Sequence, residues 1–106
     1  MNRKFLQFTI GAANSLERKL FSANADYFIS MPTDTTLLLH AYAAHAASDL
    51  ITITFDTADP SYASHYAVID ALALANSPGS NPTAIIVPAL PMVGATQQLI
   101  DNITFN

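Results

Sequence analysis

Three histidines are the side chains best suited to chemistry. His40 and His45 stand five apart in "HAYAAHAASDL" (40–50), ahead of Asp49, and His65 lies in "DPSYASHYAVID" (59–70) between Tyr62 and Tyr66. Imidazoles bind transition metals and move protons near neutral pH. Two side chains aimed at one ion stand four apart on a helix or two apart on a strand. A spacing of five does neither, even if residues 37–47 formed one alanine-rich helix, so His40 and His45 are expected to be part of β structure. His65 is expected to pack on aromatic rings with one nitrogen hydrogen-bonded. Its rival role, a catalytic base, lacks a nucleophile or acid placed beside it by any motif.

The carboxylates tell a similar story. "DTADP" (56–60) looks like half of an oxygen-ligand loop for a hard cation, without the glycine and late glutamate of an EF-hand. Asp34, Asp49, Asp56 and Asp59 all fall where turns and helix caps want them. There is no cysteine, which removes disulfides, thiolate metal sites and cysteine nucleophiles together. The three glycines, Gly11, Gly79 and Gly94, are isolated, so no phosphate-cradling loop exists, and neither G-x-S-x-G nor H-E-x-x-H occurs. No catalytic residue, cofactor or metal is expected.

The elements that would position these residues are readable from periodicity. "KFLQFTI" (4–10) alternates, with Leu6, Phe8 and Ile10 on one face. "SLERKLF" (15–21) reads as a short helical turn capped by Ser15, with Arg18 and Lys19 at its end. Strands follow over 25–32, 35–43 and 50–56. In the last, Ile51, Ile53 and Phe55 alternate with Thr52 and Thr54, as in a half-buried antiparallel strand. A helix over 59–76 takes Asp59 as cap and Pro60 as first residue. "PTAIIVPALP" (82–91) begins as a strand that Pro88 and Pro91 confine to an edge or connector, and 96–106 closes as a strand whose alternation Asp101 interrupts. The expected fold is α+β in one domain, residues 1–106. An antiparallel sheet of about five strands is covered on one face by a single helix near 60–76, in the order β-β-β-β-α-β-β.

Surface composition points toward assembly. Charged residues make up 11% of the 106-residue chain and hydrophobic ones 51%, eighteen of them alanine. An average soluble domain carries roughly 25% charge, and free monomers rely on it for solubility. All four cations, Arg3, Lys4, Arg18 and Lys19, lie in the first nineteen residues, and seven aspartates stand alone after them. Four cations in a chain of net charge −4 make a poor nucleic-acid footprint. They fit either a head-to-tail contact on an acidic neighbour or plain solvated surface. A helical wheel puts His65, Val68, Ile69, Leu72 and Ala75 inward, and Ala63, Ala67, Ala71 and Leu74 outward. The outward side is nearly as apolar as the inward one, so it is the second candidate for partner contact. The start, "MNRKFLQFTIGAANS", alternates and lacks a cleavage site, so it reads as a strand rather than a signal peptide. No apolar run reaches the roughly 18 residues of a membrane span.

The succession of a Thr-rich "DLITITF" strand, a "YAVIDALALAN" helix and "NPTAIIV" resembles small virion proteins of tailed bacteriophages, especially marine ones. The matching residues are Ala67, Val68, Ala71, Leu72, Ala75, Asn76 and the turn "SPGSNP", within roughly residues 35–88. "VPALPMVG" (87–94) has no counterpart. The resemblance implies a capsid decoration or cement protein, located in the virion after assembly in the host cytoplasm. Such a protein would bind itself or the major capsid protein in a multimeric array, and no catalytic residue is carried over. A place at the head–tail junction or tail is the near variant. A small enzyme or ligand-binding module around His65, Tyr62, Tyr66 and His40, or a homo-oligomeric adaptor in a host cell, are readings of other classes.

Overall fold

Period-two alternation builds most of the sheet. In the computed structural model, which describes residues 4–10, 17–23, 27–41, 50–76 and 85–105, the strands are β1 (Phe5–Ile10), β2 (Glu17–Ser22), β3 (Tyr27–Thr33), β4 (Thr36–Ala41) and β5 (Leu50–Phe55) before the helix α1 (Ala63–Ala75). After it come β6 (Ile85–Ile86), β7 (Met92–Val93), β8 (Thr96–Gln97) and β9 (Ile100–Phe105). The architecture is a mostly antiparallel sheet with one helix among the described residues. The described residues hold nine strands, seven of them in the main sheet, where a sheet of about five was expected.

The main sheet runs β2-β1-β9-β5-β4-β3, with β6 added beside β1, and β7 and β8 form a separate hairpin. Among the described residues its parallel pairings are those of β1 with β6 and with β9. Leu6, Phe8, Leu37, Leu39, Ile53, Phe55, Ile100 and Ile103 point into one core with Val68, Leu72 and Ala75 of α1. Fully burying an aliphatic or aromatic side chain of this size contributes about 1.5–3 kcal/mol.

Several local expectations are corrected. "SLERKLF" does not coil: Glu17–Ser22 is a strand, in register with β1 from Phe5↔Ser22 to Ile10↔Glu17. Pairing buries Phe21 against Phe8, a tertiary gain that outweighs the helix preference of Glu, Arg and Lys. Of the described residues 85–91, Ile85–Ile86 join the sheet, and Pro88 and Pro91 sit outside it. The closing segment splits into β8 and β9. Asp101 is the extra residue of a bulge, since Phe55 faces Ile100 while Thr54 faces Asn102. The β7–β8 turn was not anticipated. Gly94 takes φ +63 as its first central residue, the position where two-residue hairpins want glycine.

The sheet is strongly curled. Six strands laid flat would set β2 and β3 roughly 24 Å apart, at about 4.8 Å per neighbour. Instead the Tyr27 hydroxyl donates to the Ser22 carbonyl at 2.7 Å, and Phe21 meets Tyr27 edge to face. The helix lies along this seam, antiparallel to β3. His65 near its start contacts Thr33, and Asn76 at its end donates to the Ala23 carbonyl at 2.7 Å. Curling and the helix together shield two strand edges that would otherwise invite pairing.

Candidate functional site

The polar side chains converge at the start of α1. The helix begins at Ala63, not at Pro60, and Tyr62 before it sits in the left-handed region at φ 62. Asp59 still serves the helix, from further back. Its Oδ2 accepts from the Ser64 backbone N–H at 2.9 Å and from the Ser64 hydroxyl at 2.7 Å. Its Oδ1 accepts from the Ser61 hydroxyl at 2.7 Å and the Ser61 N–H at 3.2 Å. The Ser61 hydroxyl first, then that of Ser64, holds the Asp59 carboxyl down at about 2 against the opposing effect of burial. With four donors already placed, the carboxylate acts as a loop-to-helix clamp rather than a cation ligand.

Gln98, between β8 and β9, completes the cluster. It is buried, and its Nε2 donates to the Ser64 hydroxyl at 3.0 Å and to the Thr57 carbonyl at 2.7 Å. Its Oε1 accepts from the N–H groups of Thr57 at 2.9 Å and Leu99 at 3.1 Å. The order Gln98 to Ser64 to Asp59 is thus a directed chain of donors ending on a carboxylate. Neither Gln98 nor Ser64 stood out in the sequence. Glutamine is usually exposed, and no spacing signal links positions 34 residues apart.

His65 lies alongside and is 0% exposed. Its ring is wedged between Phe55 and Tyr62, with centroids 4.8 and 4.6 Å away. Nε2 contacts the Thr33 carbonyl at 3.0 Å, and because a carbonyl only accepts, Nε2 carries the proton. Nδ1 is buried without a hydrogen-bond partner. An imidazole with no exposed surface cannot meet a solute, and Tyr66, expected beside it, is half exposed on the other side of the helix. His40 lies in β4, its ring 5.6 Å from that of its cross-strand partner Phe28. His45 lies outside the described residues. Among the described residues no group of three His, Asp or Glu could hold a metal ion, and no helix is long and apolar enough to cross a membrane.

The residues expected to touch partners separate into two sets. Arg3 lies outside the described residues. Lys4 is 4% exposed, against the expectation of a projecting basic segment, because its position at the head of β1 lies inside the β1–β2 corner. Lys19 is engaged by its own chain. Its Nζ donates to the Ile103 carbonyl at 2.6 Å, lies 5.9 Å over the Phe105 ring and 3.8 Å from Glu17. Only Arg18 is exposed among the described cations.

On α1, Ala63 and Leu74 face outward as expected, Ala67 is half-buried, and Ala71 is 8% exposed and belongs to the core. The expected outward stripe is therefore rotated. Ser64 is drawn inward by Asp59 and Gln98, which turns Ala71 to the core and leaves Ala63, Tyr66, Asp70, Ala73 and Leu74 exposed. These positions recur at three- and four-residue steps, one face of a helix.

No protein-family model, no curated protein and no solved structure matches the chain.

Proposed function

We propose that the chain is a non-catalytic structural protein of a bacteriophage particle, a decoration or cement protein that stabilises the capsid shell through contacts with protein neighbours. The observation that carries this reading is the exposed side of α1. Along it Tyr66 is 50% and Leu74 61% exposed, with Ala63 before them, Ala73 between them and Asp70 the one charge. A helix on a free surface carries a polar outer face. An apolar one is suited to burial against another protein, and many equivalent weak contacts in a lattice add by multivalency. The low charge of the whole chain and the resemblance of residues 35–88 to small virion proteins support the same reading. So does the burial of His65, the best candidate for catalysis, inside its own aromatic sleeve.

The test is co-sedimentation of the purified protein with expanded heads assembled from a major capsid protein of the genome that encodes it. Saturable binding at many copies per head, unchanged by His65→Gln, is the expected result. Binding confined to head–tail connectors would move the protein to the junction, and no binding to either would remove the virion reading.

A further inference from the structure

Two exposed strips of the chain each carry one charge, and the charges are opposite. The first strip starts on β2. Phe21 is buried, so strand alternation turns Arg18, Leu20 and Ser22 to the outer side of the sheet. Their cross-strand partners Thr9, Gln7 and Phe5 are uncharged, and Ile85 of β6 follows Phe5 in the same row. Leu20 is 39% and Ile85 45% exposed. Val87 and Leu99, at the two ends of the excursion 87–99 that carries the β7–β8 hairpin, border Gln7 and Thr9 and are more exposed still. Arg18 is thus a lone cation at the rim of a largely apolar strip.

The second strip is the outer face of α1, where Asp70 stands four residues from Tyr66 and four from Leu74. Neither charge is paired at home. Among the described residues the side chains of Arg18 and Asp70 have no hydrogen-bond or ion-pair partner. Asp70 has no other described cation to draw on, since Lys4 is buried and Lys19 is held by Ile103, Phe105 and Glu17. The other exposed aspartates among the described residues, Asp56 and Asp101, are each followed by a polar residue, Thr57 and Asn102, and do not stand in an apolar strip.

We propose that the β2 strip of one copy docks on the α1 strip of a second copy, with Arg18 seated on Asp70. The inference rests on the reading of the chain as a protein that works by protein contact, and names the neighbour and the pair that sets its register. A second copy is the occupant because both halves of the match stand on every chain. The spacings agree as well. Arg18 and Leu20 are about 6.6 Å apart along a strand, and Asp70 and Leu74 about 6 Å apart along a helix. With β2 lying along α1 in the same direction, Leu20 meets Leu74 when Arg18 meets Asp70. Tyr66, one helical turn before Asp70, offers a ring on which the guanidinium can stack. The ion pair chooses partner and register, and burial of the apolar neighbours supplies the affinity. Because the strips are different surfaces, each copy gives one and accepts the other, so a weak contact gains strength by repetition.

The experiment is sedimentation equilibrium of the full chain over an about hundredfold range of concentration reaching about 1 mM, high enough to populate a weak contact. The mass should rise with concentration, and rise less at high ionic strength, which screens the pair. Arg18→Asp and Asp70→Arg should each weaken association at least about tenfold, by setting like charges together. The doubly reversed chain, Arg18→Asp with Asp70→Arg, should regain the parental association, because the pair is rebuilt with its signs exchanged. All three sit at exposed positions and should keep the parental urea midpoint. A parent chain that stays monomeric throughout overturns the proposal. So does association indifferent to Asp70→Arg, which would seat Arg18 on another carboxylate, and so does a doubly reversed chain as weak as the single variants. Heads that bind a chain monomeric at every concentration would remove this contact but leave the shell role. Self-association rebuilt by the double reversal, without head binding, would do the reverse.

Discussion

The Gln98 amide and the Ser64 hydroxyl, 34 residues apart, meet at 3.0 Å and join the excursion 87–99 to the first turn of α1. That contact sets the rotation of the helix, because Ser64 cannot face both Gln98 and solvent. Gln98→Ala removes four hydrogen bonds at once and leaves the half-buried Thr57 N–H and carbonyl without their Gln98 partner. A destabilisation of about 3 kcal/mol is expected, read as a lower urea midpoint at unchanged slope. A loss under about 1 kcal/mol would mean that water replaces the amide without cost.

Alternation made the core strands legible. Leu6, Phe8 and Ile10, read on one face of a strand, are all buried, and of the alternating Ile51, Ile53 and Phe55 the last two are buried and the first half-buried. Asp101 was visible as a break in pattern, and the bulge is its cause. What stayed hidden was decided by partners distant in sequence. Glu17–Ser22 has helix-favouring residues and becomes a strand only because β1 lies beside it. Ala71 lies seven residues after Ser64 and shares its side of the helix, so it turns inward only because Gln98 and Asp59 draw Ser64 inward. The excursion 87–99 announced itself only through Pro88 and Pro91, which say where a strand stops but not that it resumes at Ile100.

The Asp59 clamp predicts an acid transition. Its carboxyl is held at about 2 in the folded chain, below its ordinary 3.8, so the proton binds more readily to the unfolded chain. The stability this contributes is present above the ordinary value and is lost as pH falls from there toward 2. Asp59→Asn should flatten the dependence of the urea midpoint on pH in that window. Ser61→Ala, which deletes the largest of the lowering interactions, should narrow the window from its acid side. Identical slopes in parent and Asp59→Asn would show that another carboxylate governs the transition.

His65 should behave as a packing residue. His65→Phe keeps a ring between Phe55 and Tyr62 and removes the unpartnered Nδ1, while leaving the Thr33 carbonyl without its donor. A cost of about 1 kcal/mol is expected. His65→Ala opens a cavity in the same sleeve and should cost about 3 kcal/mol. Chemical denaturation of the two variants gives the comparison, and an equal loss in both would assign the stability to the Thr33 contact instead of the ring.

The Tyr27 hydroxyl ties the two ends of the curled sheet together at the seam. Tyr27→Phe keeps the edge-to-face contact with Phe21 and deletes the bond to the Ser22 carbonyl. About 1 kcal/mol should be lost globally. Hydrogen exchange should accelerate most in β2 and β3, the two strands the bond draws together. Burial also raises the Tyr27 phenol above its ordinary 10.0, so this group's contribution is whole below that value and lost at higher pH. Tyr27→Phe should therefore remove part of any alkaline loss of stability, and an unchanged alkaline limb would place that loss elsewhere.

The outer stripe of α1 separates folding from assembly. Tyr66 and Leu74 lie two helical turns apart on the exposed face and make no part of the core cluster. Exposed substitutions away from caps and networks change stability by within about 0.5 kcal/mol, so Tyr66→Asp with Leu74→Asp should leave the urea midpoint in place. The same pair adds two negative charges beside Asp70, on a face that association would have to desolvate. If that face carries the contact, the double variant should lose self-association in light scattering, and its occupancy on heads should fall at least about tenfold. Ala71→Asp is the control for position, since Ala71 was expected on the same stripe and lies in the core. It should unfold the chain rather than merely dissociate it, by burying an unpaired carboxylate. A double variant that still binds heads with parental affinity would exclude the outer face of α1 as the contact.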